Sequence, residues 1–81
     1  MNGERLRALR KSLGLKRDEV AQAIGVTPRI ITDYETETKR PTLDTAVKLA
    51  DFFNVSLDYL VGRTDDPTPP KRSSPSNEPG S

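Results

Sequence analysis

Residues that end helices recur at short intervals along residues 1–63, so that only short helices fit between them. They are Gly14, Gly25, Pro41, Asn54 and Gly62. Glycine and asparagine accept the left-handed conformation at a helix end, whereas proline cannot continue a helix. No segment between them has the alternation of apolar and polar residues that is typical of a half-buried strand. The spacing therefore predicts an all-α fold.

Apolar spacing and capping residues place five helices between these positions. Leu6, Leu9 and Leu13 share one stripe of a first helix, which ends in a Schellman motif at Gly14 and Leu15. The second and third helices are predicted over residues 16–24 and from Pro28 to about Glu35 after a Thr27 cap, and the fifth over residues 57–61 after a Ser56 cap. The fourth is predicted from the Thr42 cap to Asn54, and its apolar residues are Leu43, Ala46, Val47, Ala50 and Phe53, with Leu49 alongside. Together they predict a compact five-helix domain with tight connections.

The 81-residue chain contains neither cysteine nor histidine. A thiolate nucleophile, a Ser-His-Asp relay, a disulfide and the usual zinc or iron–sulfur sites are therefore excluded. Carboxylates alone could form an acid–base pair, but no third catalytic group accompanies them. We expect no enzymatic activity, no cofactor and no metal. Because the sequence has neither a signal-peptide pattern nor an apolar run of about 20 residues, we expect a cytoplasmic protein without a membrane partner.

The last 18 residues, 64–81, contain five of the seven prolines and no apolar side chain other than proline. Such a segment cannot bury enough apolar surface to offset the entropy cost of ordering it. We expect a folded domain over residues 1–63, followed by a disordered tail or a linker to a further domain.

Charge is distributed unevenly, although the formal net charge is only +1. Residues 1–17 carry six basic residues and one acidic residue, whereas residues 18–58 carry four basic and eight acidic residues. A basic segment of this kind indicates a polyanionic partner, because local patches attract phosphate. A solvated, charged helix face gives the same pattern, and composition leaves both interpretations open.

Ala21, Gly25 and Ile31 have the spacing of two helices that cross steeply through a short turn. The small Ala21 lets the backbones approach, Gly25 provides a positive φ at the turn, and the branched Ile31 anchors the second helix from beneath. One face of that second helix would remain exposed and could enter a DNA major groove. A plain helical hairpin inside a bundle is the alternative that these three residues leave open.

Short motifs follow one another in order over about residues 4–63. They are Arg5-Leu6-Arg7-Ala8-Leu9-Arg10, Gly14-Leu15, Val20-Ala21, Gly25-Val26-Thr27, Ile31, Tyr34-Glu35, Pro41, Thr42-Leu43, Lys48-Leu49-Ala50 and Val55-Ser56-Leu57-Asp58-Tyr59-Leu60-Val61-Gly62. In order and spacing they resemble the phage-repressor/Cro-like helix-turn-helix family, often called Xre-type. The resemblance implies a five-helix repressor-like domain that binds duplex DNA sequence-specifically as a transcriptional regulator, expected to be a repressor. It also implies a homodimer on a two-fold symmetric operator, in a prokaryotic or phage-encoded, nucleoid-associated protein.

The resemblance further implies which residues contact DNA. Residues 28–35 would form the recognition helix, meaning the helix that enters the major groove. The predicted contacts are Arg10, Arg17, Thr27, Pro28, Arg29, Thr32, Asp33, Lys39 and Arg40. Arg17 and the two basic loop residues that follow the recognition helix correspond to phosphate contacts. Arg29 is expected to bind a guanine, with a phosphate contact or a solvated position as alternatives, and Thr32 could reach a base edge or a phosphate.

Other predicted contacts keep open alternatives. Arg10 could contact a phosphate or pair with Glu35 inside the domain. Thr27 could contact DNA or only cap the recognition helix. Pro28 could touch a thymine methyl group, and Asp33 could accept a hydrogen bond from a cytosine amine.

Four residues depart from the family pattern that the resemblance implies, and one of them is Pro28, which has no side-chain donor where many relatives carry a polar residue. Glu37 stands where glycine is usual, so the recognition helix is expected to end differently, with an acidic residue near the phosphates. Lys16 replaces the usual Ser or Thr cap of the second helix. Ile30 is apolar where relatives often have Ser or Thr, and is expected to pack against the first helix or to touch a thymine methyl group.

The dimer interface is predicted from a pair of adjacent aromatic residues. A helix cannot bury Phe52 and Phe53 equally, so one ring, taken as Phe52, is expected to form an exposed apolar patch with Tyr59 and Val61. The alternative is that both rings wrap around a small core.

A second function class stays open at this point. The fold could have become a protein-interaction module, such as an antirepressor or antitoxin-like partner, that does not bind DNA tightly. Asp33, Glu37 and Ile30 motivate this alternative, because acidic and apolar residues on or near the DNA-facing side weaken affinity for phosphate.

Overall fold

The computed structural model describes residues 1–69 and confirms the all-α, five-helix fold. The helices are α1 (Gly3–Ser12), α2 (Arg17–Ile24), α3 (Pro28–Glu35), α4 (Leu43–Phe53) and α5 (Leu57–Val61). No strand occurs in this part of the chain. None of its helices has the length and apolar character needed to cross a membrane.

Side-chain caps begin four of the five helices. Asn2 caps α1, and the hydroxyls of Thr27, Thr42 and Ser56 cap α3, α4 and α5 by accepting from a backbone N–H three residues later. The second helix begins differently, because the side chain of Lys16 makes no capping bond. There the carboxylate of Glu19 accepts a hydrogen bond of 2.7 Å from the Lys16 N–H.

The end of α1 follows the predicted Schellman motif. Gly14 has a φ of 68°, and the N–H groups of Gly14 and Leu15 donate to the carbonyls of Lys11 and Arg10. The predicted stripe extends too far, however, because Leu13 is the C-cap residue and is exposed, whereas Leu6 is buried. A side chain at the cap leaves the helix axis and no longer follows the helical stripe.

The core takes one fully buried side chain from every helix. These side chains are Leu6, Val20, Ile31, Leu49 and Leu60. Burial of each contributes about 1.5–3 kcal/mol. Since short helices are marginal in water on their own, all five depend on this shared core. The apolar face predicted for α4 is correct at Ala46, Ala50 and Phe53 but wrong at Leu43 and Val47, which are exposed.

Two features fix α3 within the domain. The first is that α3 packs against both α1 and α2. The second is that the Tyr34 side chain is buried, and burial raises the pKa of its hydroxyl above the ordinary value, while a hydrogen bond with Thr45 partly offsets that rise. The inner side of α3 is therefore joined to α1, to α2 and, through Thr45, to α4.

Residues 64–69 follow the surface of the domain. The Ser56 N–H donates to the carbonyl of Pro67 at 3.0 Å, and the Arg5 guanidinium donates to the carbonyl of Thr64 at 2.8 Å and to the Asp65 carboxylate at 3.0 Å. Hydrogen bonds of the domain thus extend past residue 63. The predicted disorder of residues 64–81 also concerns residues 70–81, which lie outside the described residues, and it stays a prediction.

Gly3 gives a test of how closely α1 approaches α3. A Cβ atom at this buried position would overlap the carbonyl oxygen of Glu35 and lie 2.8 Å from the carbonyl oxygen of Tyr34. Because backbone atoms must move to make room, we expect Gly3→Ala to lower the free energy of unfolding by about 1–3 kcal/mol in urea denaturation. The neighbouring exposed substitution Glu4→Ala should change it by less than about 0.5 kcal/mol. Equal stability of the two variants would contradict the close approach.

Candidate nucleic-acid interface

The turn between α2 and α3 has the geometry that Ala21, Gly25 and Ile31 predict. Gly25 ends α2 with a φ of 79°, and the Val26 N–H donates to the Ala21 carbonyl at 2.9 Å. Ala21 and Ile31 are buried at the centre of this pair of helices. Thr27 then caps α3, with Pro28 in its first turn. Both ends of the turn are fixed by local hydrogen bonds, so the direction of α3 follows from the sequence.

The beginning of α3 is exposed to solvent. Thr27, Pro28 and Arg29 are exposed, and the Arg29 side chain keeps 83% of its accessible surface. Thr32, one turn later, is half-buried, and its hydroxyl donates to the Pro28 carbonyl at 3.4 Å. Four of the predicted contacts therefore lie along the first turn and a half of α3, and Thr27 also caps the helix.

The loop after α3 adds polar and basic groups next to this helix, where Lys39 Nζ lies 4.0 Å from Asp33 Oδ2. Lys39 and Arg40 are exposed there, as their predicted role requires. Thr36 and Thr38 are also exposed, with hydroxyl oxygens 2.8 Å apart. Sequence reasoning did not select these two threonines, because polar residues in an irregular loop carry no periodic signal.

Arg10 lies inside the domain and not at a DNA-facing surface. Its Nε donates to Glu35 Oε2 at 2.6 Å, its Nη2 to Glu35 Oε1 at 3.3 Å, and its Nη1 to the Leu15 carbonyl at 2.9 Å. The two partners are only 7% and 8% exposed. A guanidinium that is enclosed and bound in this way cannot reach a phosphate. The predicted phosphate contact of Arg10 is therefore wrong, and the internal pair with Glu35 is its role.

Arg17 shares the carboxylate of Glu35. Its Nε donates to Oε1 at 3.2 Å, while 41% of its side chain stays accessible. One carboxylate thus faces two guanidinium groups, and the surplus positive charge lies on the accessible one, Arg17. This arrangement suits a phosphate contact by Arg17 and was not anticipated from the sequence, because it depends on the proximity of three helices.

Asp33 is not available for its predicted DNA contact. Its side chain is buried, with only 10% of its surface accessible. Its Oδ1 accepts from Arg29 Nε at 3.4 Å, and its Oδ2 lies 4.0 Å from Lys39 Nζ. The loop after α3 covers it, because the N–H groups of Thr38 and Lys39 fold back to donate to the Asp33 carbonyl. The predicted cytosine contact of this carboxylate is therefore wrong, because the carboxylate is enclosed within the domain.

Glu37 does not change how α3 ends, contrary to expectation. It adopts the left-handed conformation itself, with a φ of 62°. The Glu37 N–H donates to the Tyr34 carbonyl and the Thr38 N–H to the Asp33 carbonyl, which is the Schellman pattern. Its carboxylate accepts a hydrogen bond of 3.1 Å from the Gly3 N–H. The strain of a positive φ at a non-glycine residue is thus offset by a contact with the start of α1.

The two adjacent phenylalanines have different environments. Phe53 is buried and Phe52 is 38% exposed, with ring centroids 5.0 Å apart in an edge-to-face arrangement. Tyr59 and Val61 are half-buried, and the Arg5 guanidinium lies 4.1 Å from the centroid of the Tyr59 ring. Only one ring therefore enters the core, as expected, whereas an interface formed by Phe52, Tyr59 and Val61 stays a prediction.

The chain is similar in sequence to proteins of a known family. Residues 6–60 match the family model described as helix-turn-helix. The chain is 46% identical over 66 residues to YobD of Bacillus subtilis (strain 168), an uncharacterized HTH-type transcriptional regulator, which covers 82% of this chain and 59% of that protein. It is 39% identical over 61 residues to RstR of Vibrio cholerae, a cryptic phage CTXphi transcriptional repressor, which covers 75% of this chain and 55% of that protein.

A solved structure is also similar. The crystal structure of the P22 c2 repressor in complex with synthetic operator 9T matches with a TM-score of 0.70 and 31% sequence identity, over 72% of this chain and 88% of that chain. By contrast, the chain spans only 59% of YobD, 48% of ImmR and 54% of AnsR, all of Bacillus subtilis (strain 168), and about a fifth of three longer archaeal relatives.

The buried pair of Arg10 and Glu35 gives a second test. We expect Glu35→Gln to lower the free energy of unfolding by about 3–5 kcal/mol, because it leaves Arg10 as a buried charge without a counter-ion. Replacing the accessible partner, as in Arg17→Gln, should cost no more than about 1 kcal/mol. Urea denaturation followed by circular dichroism measures both, and a Glu35 variant that is already unfolded at 25 °C meets the expectation. Similar small losses for the two variants would contradict it.

Proposed function

We propose that this chain, which belongs to the helix-turn-helix family, is a transcriptional regulator. It binds duplex DNA sequence-specifically, with α3 in the major groove. The observation that carries the proposal is the exposed start of α3, where Arg29 projects from a helix held rigidly by the turn at Gly25. In helix-turn-helix proteins it is the N-terminal part of the second helix that contacts base edges. The P22 c2 repressor, which shares the fold, was solved with a synthetic operator.

The proposed contacts divide into two groups. Arg29 would bind a guanine, since a guanidinium matches the O6 and N7 acceptors of that base, and Pro28 and Thr32 would line the neighbouring base edges. Arg17, Lys39 and Arg40 would hold phosphates on either side and so fix the register of α3 on the duplex. Thr27 acts as the cap of α3 in either case.

We expect this regulator to repress transcription and to bind DNA as a homodimer. One matched relative is named a transcriptional repressor. A single short helix contacts few base pairs, so a second copy on a two-fold symmetric operator would extend the site. Phe52, with Tyr59 and Val61, is the proposed contact between the copies. We place this regulator in the cytoplasm of a prokaryote, encoded by the cell or by a phage, and propose no catalytic activity and no cofactor.

The protein-interaction alternative loses the features that motivated it. Asp33 is buried, the Glu37 carboxylate is bound to the Gly3 N–H, and Ile30 is half-buried against the core. Asp33 and Ile30 therefore do not form the acidic or apolar DNA-facing surface on which that alternative depended, and the exposed Glu37 directs one carboxylate oxygen to the start of α1, so we do not propose it.

Selection from randomised duplex DNA tests the proposed function. The 81-residue chain should enrich a defined sequence at moderate salt, and Arg29→Ala should relax the base preference at one position by about 1–3 kcal/mol. Arg63→Ala removes the same charge outside α2 and α3 and should leave the sequence preference unchanged. Failure of the unmodified chain to enrich any sequence would contradict DNA recognition by this chain.

The homodimer is tested by the spacing of the selected sites. We expect two inverted half-sites whose centres lie about 34 Å apart, close to one turn of DNA, because two recognition helices must enter the groove on one face of the duplex. Phe52→Ser should weaken binding to the paired site while binding to an isolated half-site stays the same. A protein that occupies single half-sites with full affinity, whatever residue stands at position 52, would contradict the proposed interface.

A further inference from the structure

We infer that Asp33 is a positioning residue for base recognition, because its buried carboxylate holds the Nε of Arg29 and leaves the two terminal nitrogens of that guanidinium facing outward. The residue would act through Arg29 and would not touch the DNA. The inference rests on the proposed function of α3 and adds a specificity-determining residue to it.

The first support is the fixed position of Asp33 itself. It lies in the last turn of α3, four residues after Arg29, and its side chain is 10% accessible. Its carbonyl accepts hydrogen bonds of 2.8 and 3.2 Å from the N–H groups of Thr38 and Lys39. A carboxylate on a backbone held in this way has little freedom to follow a moving partner, so it acts as an anchor.

The second support is the chemistry of the Arg29 guanidinium. The 3.4 Å contact with Asp33 Oδ1 uses Nε, and within residues 1–69 the terminal nitrogens Nη1 and Nη2 have no hydrogen-bond partner. Those two nitrogens form a planar, two-donor edge that fits the O6 and N7 acceptors of guanine. Anchoring Nε therefore turns the free edge of Arg29 away from the protein, towards the place where a base would lie.

The third support is that Asp33 serves two cations at once. Its other oxygen, Oδ2, lies 4.0 Å from Lys39 Nζ, so one buried carboxylate faces a group of the recognition helix and a group of the loop after it. Ordering a long basic side chain costs conformational entropy when it binds. By pairing with Arg29 and Lys39, Asp33 restricts both side chains before DNA binds, so that less conformational entropy is lost when they contact a base and a phosphate.

The test compares base preferences in selections from randomised duplex DNA. The variants are Asp33→Asn, Arg29→Ala and the double variant, with Asp58→Asn as a control that removes one exposed carboxylate from α5. We expect the unmodified chain to prefer guanine at one position and Arg29→Ala to abolish that preference. Asp33→Asn, which keeps the shape of the side chain, should weaken the same preference about three- to ten-fold and leave the other positions unchanged.

The remaining variants separate positioning from charge. The double variant should behave like Arg29→Ala alone, because Asp33 acts only through Arg29 at that position. Asp58→Asn should not change any base preference, although loss of a negative charge can strengthen binding to DNA in general.

Each of the following results would contradict either the proposed function or the positioning role of Asp33. If the unmodified chain enriches no sequence, the proposed function fails. If Arg29→Ala relaxes one position while Asp33→Asn does not, the positioning role is wrong and the proposed function stands. Uniform relaxation at all positions in Asp33→Asn would indicate a structural role only, and an Arg29→Ala variant with unchanged preference would also overturn the inference. Should Asp33→Asn fail to fold by circular dichroism, Asp33→Ser is judged by the same criteria.

Discussion

The buried ion pair of Arg10 and Glu35 is the polar interaction on which the arrangement of the first three helices depends. It joins α1 to the last residue of α3, and the same Arg10 guanidinium binds the Leu15 carbonyl in the connection to α2. A buried pair of charges contributes little net stability, but loss of either partner is costly. The pair therefore favours arrangements of the three helices in which both charges meet, because a shift that separated them would leave a buried charge without a counter-ion. The observed arrangement leaves the exposed side of α3 free.

The acidic residues of α3 explain how a chain of nearly neutral charge could bind a polyanion. Asp33 and Glu35 are both buried, and each faces basic groups that remain accessible, Arg29 and Lys39 in one case and Arg17 in the other. Acidic side chains that would repel phosphate thus lie inside, where they orient the cations that lie outside. The net charge of the chain does not show this separation, because buried and accessible charges count equally in it.

Local sequence signals predicted the fold well, but they predicted poorly the buried charged residues behind the exposed side of α3. Helix ends follow from single residues such as Thr27 and Gly25, whose capping and backbone preferences act within one turn, and the resemblance to the Xre-type family is confirmed by the family match. The direction of Asp33 depends on a loop that folds back over it. The choice of Arg10 between phosphate and Glu35 likewise depends on contacts 25 residues apart in the chain. Side-chain periodicity contains no information on such contacts.

The conformation of Glu37 shows how a residue that departs from the family pattern can keep the family geometry. A left-handed φ is disfavoured for a side-chain-bearing residue, so glycine is the simplest solution at the end of α3. Here the carboxylate bonds to the Gly3 N–H, at a point where Gly3 itself has no room for a side chain against the Glu35 carbonyl. The start of α1 and the end of α3 therefore constrain each other. Because the proposed phosphate contacts Lys39 and Arg40 lie two and three residues after Glu37, this contact also fixes where the loop that carries them begins.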